Sequence, residues 1–233
     1  MNIYVENGQI ILPVFLFKLP PEKNYQMSAS FISETWAQLN RDVDPLLVQQ
    51  AFNDITAAYS GTARHYHNLQ HIAQLLTLHQ QYAQQLQDPE TILFAIFFHD
   101  IVYDVLKSDN EEKSADAAME YLQRIHYPSE KTTAVKEFIV ATKTHVNNQS
   151  NADLDYFLDF DLQILGTAPD AYLAYTRQIR QEYSIYPDLV YHPGRKKVLH
   201  HFLEMPVIFR TPAFQQQYET AARQNIQTEL DSL

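Results

Sequence analysis

The chain has 233 residues, of which 45% are hydrophobic, and its formal net charge is −11. This length fits a single domain with its own core, and the acidic balance without a basic stripe argues against nucleic acid as a partner. The chain contains 4 glycines and no cysteine. This excludes disulfides, thiolate zinc sites and thiol catalysis, disfavours glycine-rich phosphate loops, β-barrels and Rossmann folds, and fits a reducing cytoplasm.

Residues 1–27 differ from the rest of the chain. An apolar stretch at 9–19 has strand-like content and is followed by two prolines. It is shorter than the roughly 20 residues that cross a bilayer, and no basic region precedes it as in a signal peptide. We interpret residues 1–27 as an extension, either packed or irregular, and residues 28–233 as a single domain with no membrane partner.

From residue 28 onward the pattern is helical. Ser30 and Asp44 predict the starts of two helices, the second opened by Pro45 and ended near Gly61. Apolar periodicity and start signals predict further helices over residues 66–86, 89–100, 111–125, 130–144, 153–165, 169–183, a stretch through 200–201, and 212–230. Residues 186–194 are expected to be irregular. The predicted fold class is an all-α helical bundle.

Two of these helices carry a candidate site. His67 and His71 are four residues apart, which would place both imidazoles on one helix face, where they can address a single ion. His99 and Asp100 directly follow an apolar run at 92–98. Since an unpaired charge at the end of such a run is costly to bury, a metal ion is one partner that would satisfy both side chains.

These residues resemble a known family. A histidine, a later His-Asp pair and a distant aspartate on helices are similar to the signature of the HD-domain superfamily of metal-dependent phosphohydrolases. The spelling Tyr66-His67-Asn68 with His71 resembles the cyclic-nucleotide phosphodiesterase variant of that signature. The motif set covers residues 60–166. The stretches Asn-Glu-Glu-x-Ser-Ala and Asp-x-Asp-Leu-x-Ile-Leu-Gly also resemble a family of small bacterial proteins described as predicted HD phosphohydrolases.

The resemblance implies roles for individual residues. His67 would be a general acid, and the ion would be held by four side chains, His71, His99, Asp100 and Asp161. Asp159 competes with Asp161 for the last position, and the order of residues after Asp161 matches the resembling families better. Ligands with nitrogen and oxygen donors suit Mn, Mg, Ni, Fe, Co or Zn.

Further candidates surround this set. Asp100 could bridge to a second ion, and Glu112 could orient water, although an acidic residue in a first helical turn is also ordinary dipole complementation. His145, at a predicted helix end, is a candidate ligand of a second ion. A histidine at a helix C-terminus is also favourable without any function, because its cation complements the helix dipole. Asp104 lies on the intervening loop. Four cations are candidates for binding substrate phosphate: Arg64, Lys143, Arg180 and Arg195.

The sequence thus predicts a phosphohydrolase that uses one or two divalent ions to activate water against a small phosphorylated molecule, such as a nucleotide. Two alternatives remain open. One is a di-iron oxygenase, because relatives in the same superfamily that resemble inositol oxygenase use a similar cage. The other is a module that binds a metal or a nucleotide without catalysis. No oligomeric state is predicted.

Overall fold

The computed structural model describes the backbone of residues 4–6, 9–11 and 21–28, and residues 29–233 with their side chains. Two short strands, β1 (Tyr4–Glu6) and β2 (Gln9–Ile11), pair antiparallel. Ten helices account for most of the remaining described chain: α1 (Pro21–Leu39), α2 (Pro45–Tyr59), α3 (Leu69–Tyr82), α4 (Pro89–Phe98), α5 (Asn110–Arg124), α6 (Ser129–Ala141), α7 (Ala152–Leu162), α8 (Pro169–Glu182), α9 (Asp188–Glu204) and α10 (Pro212–Ser232). The predicted all-α class is confirmed.

The N-terminal segment differs in detail from its prediction. Part of the apolar stretch at 9–19 forms β2, and residues 12–19 lie outside the described residues. Helix α1 begins at Pro21 and continues across the boundary expected between residues 27 and 28. Ser30 therefore lies inside the helix rather than at its start. Proline suits a first helical position because its missing N–H would have no partner there.

Other helix boundaries also differ from their predictions. Helix α3 begins at Leu69 instead of residue 66, since the Asn68 side chain accepts a hydrogen bond from the Gln70 N–H at 2.8 Å and caps the helix there. Helix α9 includes residues 188–194 of the segment expected to be irregular, with Pro193 inside it. Proline removes the helical hydrogen bond to the carbonyl of Leu189. Leu189 is 91% exposed, so water can satisfy that carbonyl.

Helix α4 is the centre of the fold. Its residues Phe94, Ala95, Ile96 and Phe97 are all buried, and a helix that is apolar all round belongs inside a core. Helices α3, α5, α6 and α7 pack around it. Trp36 of α1 completes one side with its ring centroid 5.0 Å from that of Phe97. The C-terminal end of α4, where the His-Asp pair follows, is thereby fixed in the middle of the molecule.

The C-terminal helix packs against a 3₁₀ turn, Gln163–Gly166, that continues α7. The approach is so close that a Cβ atom added at Gly166 would lie 2.5 Å from the Cβ atom of Tyr218 on α10. Glycine at this position therefore permits the two elements to meet. None of the helices in the described part of the chain has the length and apolar character needed to cross a bilayer.

Candidate metal centre and adjoining cavity

Three of the predicted ligands meet inside the helical core. His71 lies in the first turn of α3, His99 directly follows α4, and Asp161 lies in the last turn of α7. One donor atom from each residue lies within 4.8 Å of the other two. The Nε2 atom of His71 is 3.2 Å from Oδ1 of Asp161 and 3.2 Å from Nε2 of His99. The fourth predicted ligand, Asp100, places Oδ2 3.1 Å from Nε2 of His99.

Hydrogen bonding sets the tautomer of His99. Its Nδ1 atom lies 2.9 Å from the carbonyl oxygen of Ile96, which can only accept, so Nδ1 carries a proton. In the neutral ring, Nε2 is then an acceptor that faces a carboxylate and the Nε2 atom of His71. The His99 ring and the carboxylate can share a proton, or both can bind a metal ion. Two imidazoles and two carboxylates fit a divalent metal ion.

The pKa values of these residues are shifted by burial and by the charges of their neighbours. Burial lowers the pKa of His71. Burial also opposes protonation of His99, but the neighbouring carboxylates of Asp100 and Asp161 outweigh it and raise the pKa of His99 to about 9. Burial works against ionisation of Asp161, yet hydrogen bonds from His145 and His71 hold its pKa well below the usual range. Burial also disfavours ionisation of Asp100, but the charges of His99 and His67 outweigh it and lower the pKa of Asp100. Both carboxylates thus favour the ionised form that can bind a cation.

His145 also reaches this group. Its Nε2 atom lies 3.0 Å from Oδ2 of Asp161, on the carboxylate oxygen that does not face His71. Helix α6 ends at Ala141, so the helix predicted over 130–144 is shorter than expected and His145 lies beyond its end. His145 has a φ of 52°, a left-handed conformation that is uncommon for residues other than glycine. The guanidinium of Arg210 donates hydrogen bonds to the His145 carbonyl and stabilises this conformation.

His67 does not share a helix with His71. It precedes the cap residue of α3, so the prediction that both lie on one helical face is wrong. The cause is Glu182, at the end of α8. Its Oε1 atom accepts the backbone N–H groups of His65, Tyr66 and His67 at 2.8, 2.8 and 2.9 Å, which therefore remain outside the helix. The His67 and His71 rings still lie 5.9 Å apart.

Glu182 is the residue that the sequence analysis missed. Its side chain is 0% exposed, and its Oε2 atom lies 2.7 Å from Nδ1 of His67. The Tyr103 hydroxyl donates a hydrogen bond to the same oxygen at 2.9 Å. Burial opposes ionisation, but the hydrogen bond and the charge of His67 lower the pKa of Glu182 to about 2. Burial likewise disfavours the His67 cation, yet Asp100 and Glu182 raise the pKa of His67 above its ordinary value.

A cavity of about 630 Å³ adjoins the metal-ligand group. Its lining includes His67, Asp100, His145 and Asp161, while His71 and His99 lie buried behind them. Tyrosines form much of its wall: Tyr66, Tyr103, Tyr175, Tyr183, Tyr186 and Tyr191. The cavity therefore joins a buried group of candidate metal ligands to an aromatic surface that an organic ligand can contact.

Two of the predicted cations line this cavity, Lys143 and Arg195. Lys143 lies 2.5 Å from Glu112 and donates a hydrogen bond to the Ser108 carbonyl at 2.6 Å. Glu112 is thereby paired with a lysine and does not line the cavity.

The carboxylate of Asp104 accepts the Leu106 N–H at 2.9 Å and is likewise not part of the lining.

Arg64 and Arg180 have structural contacts instead of lining the cavity. The guanidinium of Arg64 donates hydrogen bonds to three backbone carbonyls, at 3.1 Å to His67, 2.7 Å to Asp100 and 2.9 Å to Ile101. It thereby ties the segment before α3 to the end of α4. Arg180 pairs with Asp188 at 2.7 Å and stabilises the turn between α8 and α9.

Comparison with protein-family models gives no match, and comparisons with curated proteins and with solved structures give none either. The resemblance to HD-domain phosphohydrolases therefore stays a prediction from the motif residues. Any function must be argued from the geometry of this site.

Proposed function

We propose that the protein is a metal-dependent phosphohydrolase that acts on a small phosphorylated molecule, such as a nucleotide. One observation carries the proposal. The donor atoms of His71, His99 and Asp161 lie within 4.8 Å of one another, and the cavity beside them is also lined by His67. A cation site and a proton donor thus border the same space.

His71, His99, Asp100 and Asp161 would hold the ion, and His145 is available on the second oxygen of Asp161. A divalent ion bound there lowers the pKa of coordinated water and polarises a phosphoryl oxygen. The absence of thiolate among the donors leaves Mn, Mg, Ni, Fe, Co and Zn as candidates, one or two ions per chain.

His67 would supply the proton to the departing oxygen. Its Nδ1 atom is engaged by Glu182 at 2.7 Å, so Nε2 is the nitrogen left for proton transfer. The pKa of His67 is raised above its ordinary value, which favours the protonated form that a general acid needs. General acid catalysis typically contributes about 10²- to 10⁴-fold. Glu182 stays ionised and fixes the orientation of the ring through four hydrogen bonds from three backbone groups and the imidazole.

The cavity also suits an anionic substrate despite the net charge of −11. Lys107 and Lys143 lie along its lining, and cations near a site can attract a phosphate even to an acidic protein. A cytoplasmic location, where small phosphorylated metabolites occur, belongs to the same proposal.

The test is a substrate panel with metal-stripped protein reloaded separately with each of the six metals. We expect phosphate release from p-nitrophenyl phosphate, bis(p-nitrophenyl) phosphate or nucleotides. His71→Ala should lose activity by at least about 100-fold, as expected when an ion that generates the nucleophile is lost. A matched control is His79→Gln, because His79 is a buried histidine on the same helix that contacts the Pro89 carbonyl instead of the metal-ligand group.

Three outcomes contradict the proposal. His71→Ala could be as active as the unmodified protein, which would remove the site from the reaction. The reloaded protein could consume oxygen with iron and release no phosphate, which would indicate an oxygenase. It could also bind nucleotide and leave it intact, which would indicate a binding module.

A further inference from the structure

The α9 wall of the cavity carries a buried arginine that is held in a fixed orientation. Arg195 is 9% exposed and donates from Nε at 2.7 Å and from Nη2 at 3.0 Å to the two carboxylate oxygens of Glu229 on α10. The Tyr172 hydroxyl donates to the same carboxylate. This forked pairing fixes the plane of the guanidinium, so the side chain has little rotamer freedom left to lose when a ligand binds.

One edge of this guanidinium remains for a ligand. Within residues 29–233, Nε and Nη2 are engaged by Glu229, and Nη1 has no hydrogen-bond partner. Arg195 lines the cavity. A guanidinium has N–H donors and no acceptor, so this edge recognises an acceptor oxygen or nitrogen and rejects an amino group.

Aromatic rings connect this arginine to the metal-ligand group. The guanidinium carbon of Arg195 lies 5.5 Å from the ring centroid of Tyr175. The Tyr175 ring lies 4.7 Å from that of Tyr66, which in turn lies 4.9 Å from the ring of His71. A ligand that reaches from the metal ligands to Arg195 therefore passes two tyrosine rings, and aromatic surfaces of this kind stack on nucleobases.

Open space next to Arg195 can accommodate such a ligand. Gly194 lines the cavity, and a Cβ atom added there would meet no heavy atom within 4 Å. The cavity volume of about 630 Å³ is within the range of roughly 300–1,000 Å³ typical of small-molecule sites. It therefore provides room for more than a phosphoryl group.

We propose that the substrate is a nucleoside phosphate whose base carries an exocyclic oxo group, and that Arg195 donates to this oxygen from Nη1. The proposal rests on the proposed phosphohydrolase function and assigns its substrate class. A base with an amino group at the same position would direct N–H groups at the guanidinium and leave donors facing each other in a buried place, which is costly.

The experiment compares kcat/KM for inosine 5′-monophosphate and adenosine 5′-monophosphate, which differ at the oxo or amino position, with p-nitrophenyl phosphate as a substrate that has no base. The unmodified protein should prefer the inosine nucleotide by about 10- to 100-fold, the range expected for a hydrogen bond to a charged group. In Arg195→Met/Glu229→Gln, which removes both partners of the ion pair, this preference should fall to nearly one. Lys197→Met, an exposed cation on the same helix that does not line the cavity, is the matched control and should keep the preference.

A second variant leaves the ion pair intact. Gly194→Leu should place a side chain in the open space and raise KM for the inosine nucleotide more than KM for p-nitrophenyl phosphate. Unequal effects of this kind support a base beside α9. An equal effect on both substrates overturns the inference even if the double variant does not fold.

The two proposals fail in different ways. If p-nitrophenyl phosphate and every nucleotide remain intact, the proposed phosphohydrolase function is wrong. If p-nitrophenyl phosphate is hydrolysed while nucleotides are not, the assigned substrate class alone is wrong. The same conclusion follows if inosine and adenosine nucleotides are used equally well, or if the double variant keeps the preference.

Discussion

The Nδ1 atom of His67 lies 2.7 Å from the Oε2 atom of Glu182, although 115 residues separate them along the chain. The same carboxylate accepts three consecutive backbone N–H groups ahead of α3. One buried side chain therefore determines both the backbone path and the ring orientation of the candidate proton donor.

The first prediction concerns this pair. Glu182→Gln should lower kcat by about 10- to 100-fold, a loss typical of groups that orient a functional histidine. The loss should be larger for an alkyl phosphoester than for p-nitrophenyl phosphate, because p-nitrophenolate is stable enough to leave without a proton. Metal content, measured by elemental analysis, should not change. A loss that is the same for both leaving groups would contradict the role of His67 as the acid.

Acid stability provides the second prediction. The pKa of Glu182 is about 2 in the folded protein against an ordinary value of 4.5, so folding favours the ionised form. The resulting stabilisation is fully present above pH 4.5 and is lost as the pH falls towards 2. Its full size is about 3 kcal/mol, since one pKa unit corresponds to about 1.4 kcal/mol.

Urea unfolding at several pH values checks this. The difference in free energy of unfolding between the unmodified protein and Glu182→Gln should shrink as the pH falls from about 5 to about 3, because only the carboxylate can be protonated. Parallel curves over this range would show that Glu182 does not contribute in this way.

The third prediction separates two aspartates of α7. Asp159 accepts hydrogen bonds from the Arg210 N–H at 2.7 Å and from the N–H and hydroxyl of Thr211 at 2.8 and 2.7 Å, while Asp161 faces His71 and His145. Asp159→Ala should lower the free energy of unfolding by about 2–4 kcal/mol and retain metal. Asp161→Asn should stay folded and lose metal.

Thermal unfolding and elemental analysis of the two purified variants distinguish these effects. If Asp159→Ala loses the metal while Asp161→Asn retains it, the ligand has been assigned to the wrong aspartate. If both variants retain metal fully, the centre itself is wrongly placed.

The fourth prediction concerns packing. Gly166→Ala should lower the free energy of unfolding by about 2 kcal/mol or more, because the new Cβ atom would lie 2.8 Å from the backbone oxygen of Tyr218 and overpacking forces backbone shifts. Gly61→Ala is the control, since its nearest neighbours would be 3.8 Å away. Urea unfolding should show a change below about 0.5 kcal/mol for the control. Equal effects would contradict the steric explanation.

The parts of this structure that could be predicted from sequence depend on local patterns. The apolar run before His99 predicts a buried helix, and the structure places that helix at the centre of the core. His71 and Asp161 could be identified as candidates because their spacing and neighbours resemble a known motif. The structure brings both beside His99.

The remaining features depend on contacts between distant segments. Glu182 is an acidic residue at the end of an amphipathic helix. Its local sequence does not indicate that its side chain will be buried and will accept hydrogen bonds from three backbone N–H groups. The position of His67 outside α3 follows from the same contact. The pairing of Arg195 with Glu229 likewise joins two helices, and no local pattern predicts which acid an arginine will meet.

The dependence of His67 on Glu182 has a consequence for how the proposed activity could be divided. The candidate metal ligands all lie between residues 71 and 161, whereas the group that orients His67 comes from the end of α8. Under the proposed function, loss of the single acid at 182 during divergence would leave the candidate ligands in place and the His67 imidazole without its support. Ion capture and turnover would then be separable traits in this architecture.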